Sequence, residues 1–156
     1  MSDPRNDTLT GIPGVKVGHA TDLDGGTGVS VILFDQPALG AADLSGMATS
    51  TRQFDSLTLM HPGSSVHAVC LTGGSAFGLD ASTGVVSFLE EQGIGLDLVV
   101  ARLPVVPTAA LFDLSFMDAS ARPTPAMAYA ACRDATVEPV RQGCVGAGTG
   151  ATCGKL

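Results

Sequence analysis

The groups in this sequence best placed to do chemistry are few, and most of them sit beside glycine. Lys155 ends a glycine-rich stretch at residues 143–156, GCVGAGTGATCGKL. Small residues let another backbone or a substrate approach closely, so this track can deliver one cation to a crowded place. There it would stabilise negative charge or lower the pKa of a neighbouring group; the plainer alternative is an ordinary solvated lysine. Gly73, Gly74 and Ser75 stand between the apolar run 66–71, VHAVCL, and a segment of helical periodicity. A strand entering a helix through such a turn leaves N–H groups at a positive helix end, where an anion or developing oxyanion can sit. The competing account is that two glycines let the helix pack closely on its strand while Ser75 acts as N-cap. No histidine stands in an evident partner position to make Ser75 a nucleophile.

Other polar groups carry weaker signals. Arg52 and His61 lie in a polar segment, 47–62, that reads as a surface loop with a short helix; they could bind a carboxylate or act as acid and base, or be solvated surface. Asp113 is embedded in the apolar stretch 109–115, AALFDLS, and needs a partner because a buried carboxylate is costly unpaired. Tyr129 is the only tyrosine. Cys70, Cys132, Cys144 and Cys153 form no CxxC pair and have no histidine at metal-ligand spacing, so no metal is expected. Cys70 and Cys132 read as small core hydrophobes, whereas Cys153 beside Lys155 is the thiol a cation could activate. Residues 22–28, DLDGGTG, lack the spacing and bidentate glutamate of a calcium loop and read as a turn.

The elements that must position these groups can be laid out in order. Residues 1–10 are expected to be a frayed, flexible N-terminus, with a single α/β domain over 11–156. Residues 15–20 alternate like an edge strand, 29–34 (VSVILF) form the clearest strand of the first half, and 39–44 are expected to return beside it as a hairpin. The central unit runs strand, glycine turn, helix: Phe77, Ala81, Val85, Phe88 and Leu89 recur at three and four residues, and Gly93 suits a C-cap. Residues 97–106 read as another strand. Thr124-Pro125 opens a second helix with a capping residue and proline at the first helical position.

Composition bounds the function. A chain of 156 residues suits one domain; 45% apolar and 15% charged residues imply extensive burial, and 20 glycines with no tryptophan imply tight packing. The net charge of −7, with eight scattered basic residues, argues against a nucleic-acid surface. No apolar run reaches membrane-spanning length and residues 1–10 lack a signal-peptide core, which predicts a cytoplasmic address. Two nucleotide motifs fail at the C-terminal track. Thr149 and Leu156 stand where a P-loop needs glycine and Ser or Thr. Gly146, Gly148 and Ala151 match G-x-G-x-x-A, without a ribose-binding acid beyond them.

Longer ordered motifs carry a resemblance. LTGIPGVKVGHATD at 9–22, LTGGSAFGLDA at 71–81, PTAALFDLS at 107–115, PAMAYAAC at 125–132 and VGAGTGATCGK at 145–155 resemble the self-cleaving L-aminopeptidase/D-esterases. That family includes β-peptidyl aminopeptidases and endo-type 6-aminohexanoate (nylon) oligomer hydrolases. The resemblance spans nearly the whole chain and covers the first part of the family's α region. It implies an αββα layered sandwich like that of N-terminal-nucleophile hydrolases, here an incomplete one. It implies autoproteolysis into α and β parts, a nucleophilic Ser or Thr at the new N-terminus of a downstream β segment, no cofactor, and a homo-oligomer of αβ units acting on peptide or oligoamide. The cleavage junction is expected beyond Leu156.

Residue by residue, Lys155 matches the family's Gly-Lys lysine, beside the nucleophile in the nylon-oligomer branch. Gly73, Gly74, Ser75 and Phe77 match a central motif that would line the cleft and contact substrate. Phe112 falls where relatives carry a catalytic-site tyrosine, and Ala110 where the aminopeptidase branch grips the substrate amine with glutamate. Both departures lean toward the oligoamide-hydrolase or short branch. Three functions stay open: part of such a hydrolase, a catalytically inactive relative acting as a binding or assembly module, and a phosphate or nucleotide binder. A layered fold lacking its second half would expose sheet faces and edges.

Overall fold

The computed structural model describes residues 6–58, 60–61 and 65–154. Its main sheet contains β1 (Val15–Asp22), β2 (Thr27–Leu39), β3 (Thr51–Arg52), β4 (Ser65–Thr72) and, after an excursion, β7 (Thr108–Ala110), in the order β1-β2-β4-β7-β3. A separate ribbon pairs β5 (Leu96–Asp97) with β6 (Arg102–Leu103). Helices α1 (Ser75–Gly78), α2 (Ser82–Glu91) and α3 (Pro125–Arg133) follow β4 and β7. β1, β2 and β4 are successively antiparallel, whereas β4 and β7 run parallel. That parallel pairing is possible because α1 and α2 form the crossover between them.

Strand alternation sets the layers. Val29, Val31 and Leu33 of β2 and Ala68 and Cys70 of β4 join Val85, Leu89, Ala128, Ala131 and Cys132 in one core against α2 and α3. The intervening residues project from the opposite face of the sheet. Contact on the helix side is close: a Cβ on Gly84 of α2 would collide with the Pro125 carbonyl, and one on Gly18 of β1 with the Ala131 carbonyl. The alanine-rich α3 thus packs on both the sheet and α2. Thr124 caps it as expected, its Oγ1 accepting the Met127 N–H.

Several expectations are corrected. Residues 39–44 form no hairpin, because β2 is already paired on both sides by β1 and β4 and has no free edge. The return strand of the first hairpin is β2 itself, joined to β1 through the DLDGGTG turn, where Asp22 Oδ1 accepts the Gly25 N–H. Residues 97–106 are a short ribbon followed by a buried connection: Asp97 Oδ1 accepts the Val99 N–H, and its other oxygen pairs with Arg102 at 2.9 Å. The central helix is broken by a 3-10 turn at Leu79–Ala81. The tighter winding shifts its phase, leaving Ala81, Val85 and Leu89 buried but Phe77 55% exposed beneath the Arg122 guanidinium. Gly93 ends α2 at φ +69°, with its N–H on the Glu90 carbonyl and the Ile94 N–H on the Leu89 carbonyl, the paired bonds of a Schellman ending.

Of the first ten residues, Asn6, Thr8 and Thr10 are bonded to one another, and Thr10 reaches the Glu138 carbonyl. No helix among the described residues is long and apolar enough to cross a membrane.

Candidate functional site

At one end of the sheet the glycine turn, the β1–β2 turn and the C-terminal glycine track converge on Asp113. This side chain is 6% exposed. Its Oδ1 accepts the Gly74 N–H at 2.7 Å and its Oδ2 accepts the Thr27 hydroxyl at 2.7 Å. Gly73 and Gly150 both press against it so closely that neither has room for a Cβ. The carboxylate is therefore the internal ligand of the glycine turn, which resolves why an acid sits in an apolar stretch.

The turn's other donors are also committed. The Gly73 N–H bonds the Gly28 carbonyl and the Ser75 N–H the Leu111 carbonyl, both at 2.9 Å. The N–H groups of Gly73, Gly74 and Ser75 are thus occupied inside the fold, and an oxyanion has no free donor among them. Ser75 is not an N-cap: Gly74, left-handed at φ +76°, precedes the helix, and Ser75 itself lies at φ +54°. A left-handed serine stores strain, and its hydroxyl makes no hydrogen bond to another described residue.

A second feature lies on the sheet face away from the helices. Register places His19, Ser30, Leu71 and Ala109 in one row across β1, β2, β4 and β7. They line a cleft of about 710 Å³ together with Ala110, Leu111, Arg141 and the track residues Ala147 and Gly148. Leu71 is 40% exposed there. His19 Nδ1 and Ser30 Oγ are 2.8 Å apart, and Ser30 Oγ accepts the Ala147 N–H at 3.1 Å. Burial holds the His19 pKa below its usual 6.5; the Arg141 carbonyl pulls the other way and its charge adds to the lowering. Among the described residues the buried Nε2 makes no hydrogen bond. Histidine-serine pairing across a hairpin is invisible until register is known, and only the odd phase of His19 and Ser30 in their strands hinted at it.

The residues singled out from sequence are distributed as follows. Gly73, Gly74 and Ser75 meet at the Asp113 hub, Phe77 lies just beyond under Arg122, and Phe112 is half exposed next to the hub acid. Lys155 lies outside the described residues; the track that precedes it is placed as far as Gly154. Arg52 points at the start of α2, bonding the Ser82 and Thr83 hydroxyls at 3.0 and 3.1 Å. Tyr129 donates to Glu91 at 2.6 Å and its ring stands edge-on to Phe88. Burial pushes the Cys70 and Cys132 thiols up to about 12, while Cys144 and Cys153 are exposed. Among the described residues no three His, Cys, Asp or Glu side chains are grouped to hold a metal.

Comparison with known proteins supplies what the geometry alone does not. The model of peptidase family S58 matches residues 7–156. An uncharacterized aminopeptidase of Mycobacterium leprae is 40% identical, over 100% of this chain and 47% of its own length. A 6-aminohexanoate-oligomer endohydrolase of Kocuria sp. is 33% identical over 92% of this chain and 38% of its own. The L-aminopeptidase D-Ala-esterase/amidase of Ochrobactrum anthropi, described as a variant of the Ntn-hydrolase fold, superposes with a TM-score of 0.78 at 19% identity. It covers 97% of this chain and 45% of that one. The chain spans less than half the length of these relatives.

Proposed function

Since the chain belongs to peptidase family S58 and has the α/β architecture of Ntn-hydrolase-fold aminopeptidases, we propose that it forms part of an autoprocessed amide or ester hydrolase. The observation that carries this is the family match along residues 7–156. In this reading a downstream β segment of the same precursor begins with Ser or Thr. Its hydroxyl oxygen attacks the substrate carbonyl carbon while its proton passes to the free α-amine. The amine returns that proton to the departing nitrogen or oxygen, and water then releases the acyl group.

Lys155 is assigned the role of a cation beside the nucleophile, and the Asp113 hub supports that assignment by anchoring the track that leads to it. Ser75, with its strained backbone, and exposed Phe77 and Phe112 are assigned to substrate contact, with Gly73 and Gly74 shaping the wall. The substrate is a peptide or oligoamide, the assembly a homo-oligomer of αβ units, and no cofactor is required. Four free cysteines, two of them buried, favour a reducing, cytoplasmic setting.

Leu71, 40% exposed on the sheet face away from the helices, favours a second reading, an assembly module without catalysis, because a sheet buries both faces when a further layer is supplied. The deciding experiment is intact mass of the protein purified from its native gene, followed by hydrolysis of an amino-acid p-nitroanilide and a 6-aminohexanoate oligomer. A second chain led by Thr or Ser, with turnover that Lys155→Met abolishes, establishes the hydrolase. A single species of this chain's mass without turnover selects the assembly module.

A further inference from the structure

The geometry points to His19 as a positioning residue: through Ser30 it pins the glycine track at residues 146–150 to the open face of the sheet, and its protonation loosens that hold. Two side chains of the sheet bond the track from outside. Thr21 Oγ1 accepts the Gly146 N–H at 2.8 Å, and Ser30 Oγ accepts the Ala147 N–H at 3.1 Å. Thr21 is exposed but Ser30 is buried; solvent can replace the first bond and not the second. Gly146 is held at φ +53°, with no space for a Cβ between its neighbours on β1 and β2, Ser30 and His19 among them.

The proton count then fixes the state of the histidine. Ser30 has one proton and receives one from Ala147. Its own proton is satisfied if it donates to His19 Nδ1, which requires neutral imidazole with its proton on Nε2. A second proton on His19 would make Nδ1 a donor and leave the buried Ser30 hydroxyl proton without an acceptor. Burial would oppose the new charge; of the two groups Arg141 turns to the ring, its carbonyl favours the charge and its guanidinium opposes it. Asp7 and Asp134 line the spaces flanking the ring but do not bond it, and Nε2 makes no hydrogen bond among the described residues.

Hydrogen exchange of the backbone amides, on the protein purified from its native gene, tests this without any substrate. Ser30→Ala and His19→Ala are expected to raise the opening of amides 146–150 about five- to tenfold, the worth of one buried hydrogen bond. The α3 amides should stay unchanged, and His19→Asn, whose amide can reach the Nδ1 position, should recover most of the protection. In the unmodified protein, opening of the same amides, corrected for intrinsic exchange, should rise between pH 7.5 and pH 5, and in His19→Asn it should stay flat. Equal opening in all variants, a loss spread evenly over the sheet, or a flat pH series would overturn the proposal; the pH series alone decides if a variant fails to fold. The link to catalysis rests on the proposed role of Lys155. Loosened exchange with unchanged kcat keeps the pin and removes the lysine, whereas lowered kcat at constant KM supports both.

Discussion

Replacing Asp113 by alanine isolates the physics of the hub. The carboxylate satisfies a backbone N–H and a hydroxyl, each at 2.7 Å, in a site with 6% exposure. Removing the acceptor orphans the Gly74 N–H, fixed in the backbone, at a cost of about 2–3 kcal/mol; the Thr27 hydroxyl can rotate, so its loss costs about 1 kcal/mol. The sum, about 3–4 kcal/mol, corresponds to a fall of roughly 6–16 °C in melting temperature for a domain of this size. Asp113→Asn should be far milder, about 1 kcal/mol. Its carbonyl still accepts from Gly74 and its NH₂ can donate to the Thr27 oxygen, so only the charge assistance is lost. Thr27→Val should fall between, since it leaves one carboxylate oxygen bare, and it should be non-additive with Asp113→Ala because both remove the same bond. Thermal and urea unfolding of the three variants and the double variant gives every term. An Asp113→Ala loss below about 1 kcal/mol, or Asp113→Asn as damaging as alanine, would refute the assignment of the acid as the turn's internal ligand.

Further outcomes are open to direct measurement. Gly84→Ala should cost about 3 kcal/mol or block folding, because its methyl group meets the Pro125 backbone and neither helix can yield cheaply. Gly93→Ala, with nothing within 4 Å, should cost only about 1 kcal/mol from its positive φ; equal losses in urea unfolding would contradict this. With Ellman's reagent at pH 8, Cys144 and Cys153 should react in the native protein. Cys70 and Cys132, pushed up to about 12, should react only after denaturation. His19 and His67 are both lowered from 6.5, chiefly by burial, and the His67 Nδ1 accepts the Val105 N–H. The unfolded chain therefore binds more protons than the folded one below 6.5. Stability should be greatest above that pH and fall as pH drops through it toward the folded pKa values. A Tm that is level from pH 7.5 to 5 in a His19→Asn, His67→Asn background, but falling in the unmodified protein, would assign the slope to these residues.

What the sequence determined by itself was local. The strand at 66–71, the α3 cap at Thr124-Pro125, the Gly93 ending of α2 and the DLDGGTG turn follow from period, capping and turn chemistry, all of which act within a few residues. The family resemblance rests on the order of linear motifs and is likewise legible in the chain itself. What depended on tertiary structure decided the rest. Residues 39–44 had no free strand edge to join, a fact about β4 and not about their own composition. Ser75 looked like a cap because serine commonly is one, but Asp113, 38 residues away in sequence, supplies the acceptor at its neighbour Gly74. The same carboxylate, with the Gly28 and Leu111 carbonyls, takes the turn N–H groups that local reasoning left open to an anion. His19, Ser30 and Ala147 meet only when register and a contact across 117 residues are fixed. Short-range signals cannot encode these meetings, because the free energy that selects them comes from burying polar groups against partners that only the folded chain brings near.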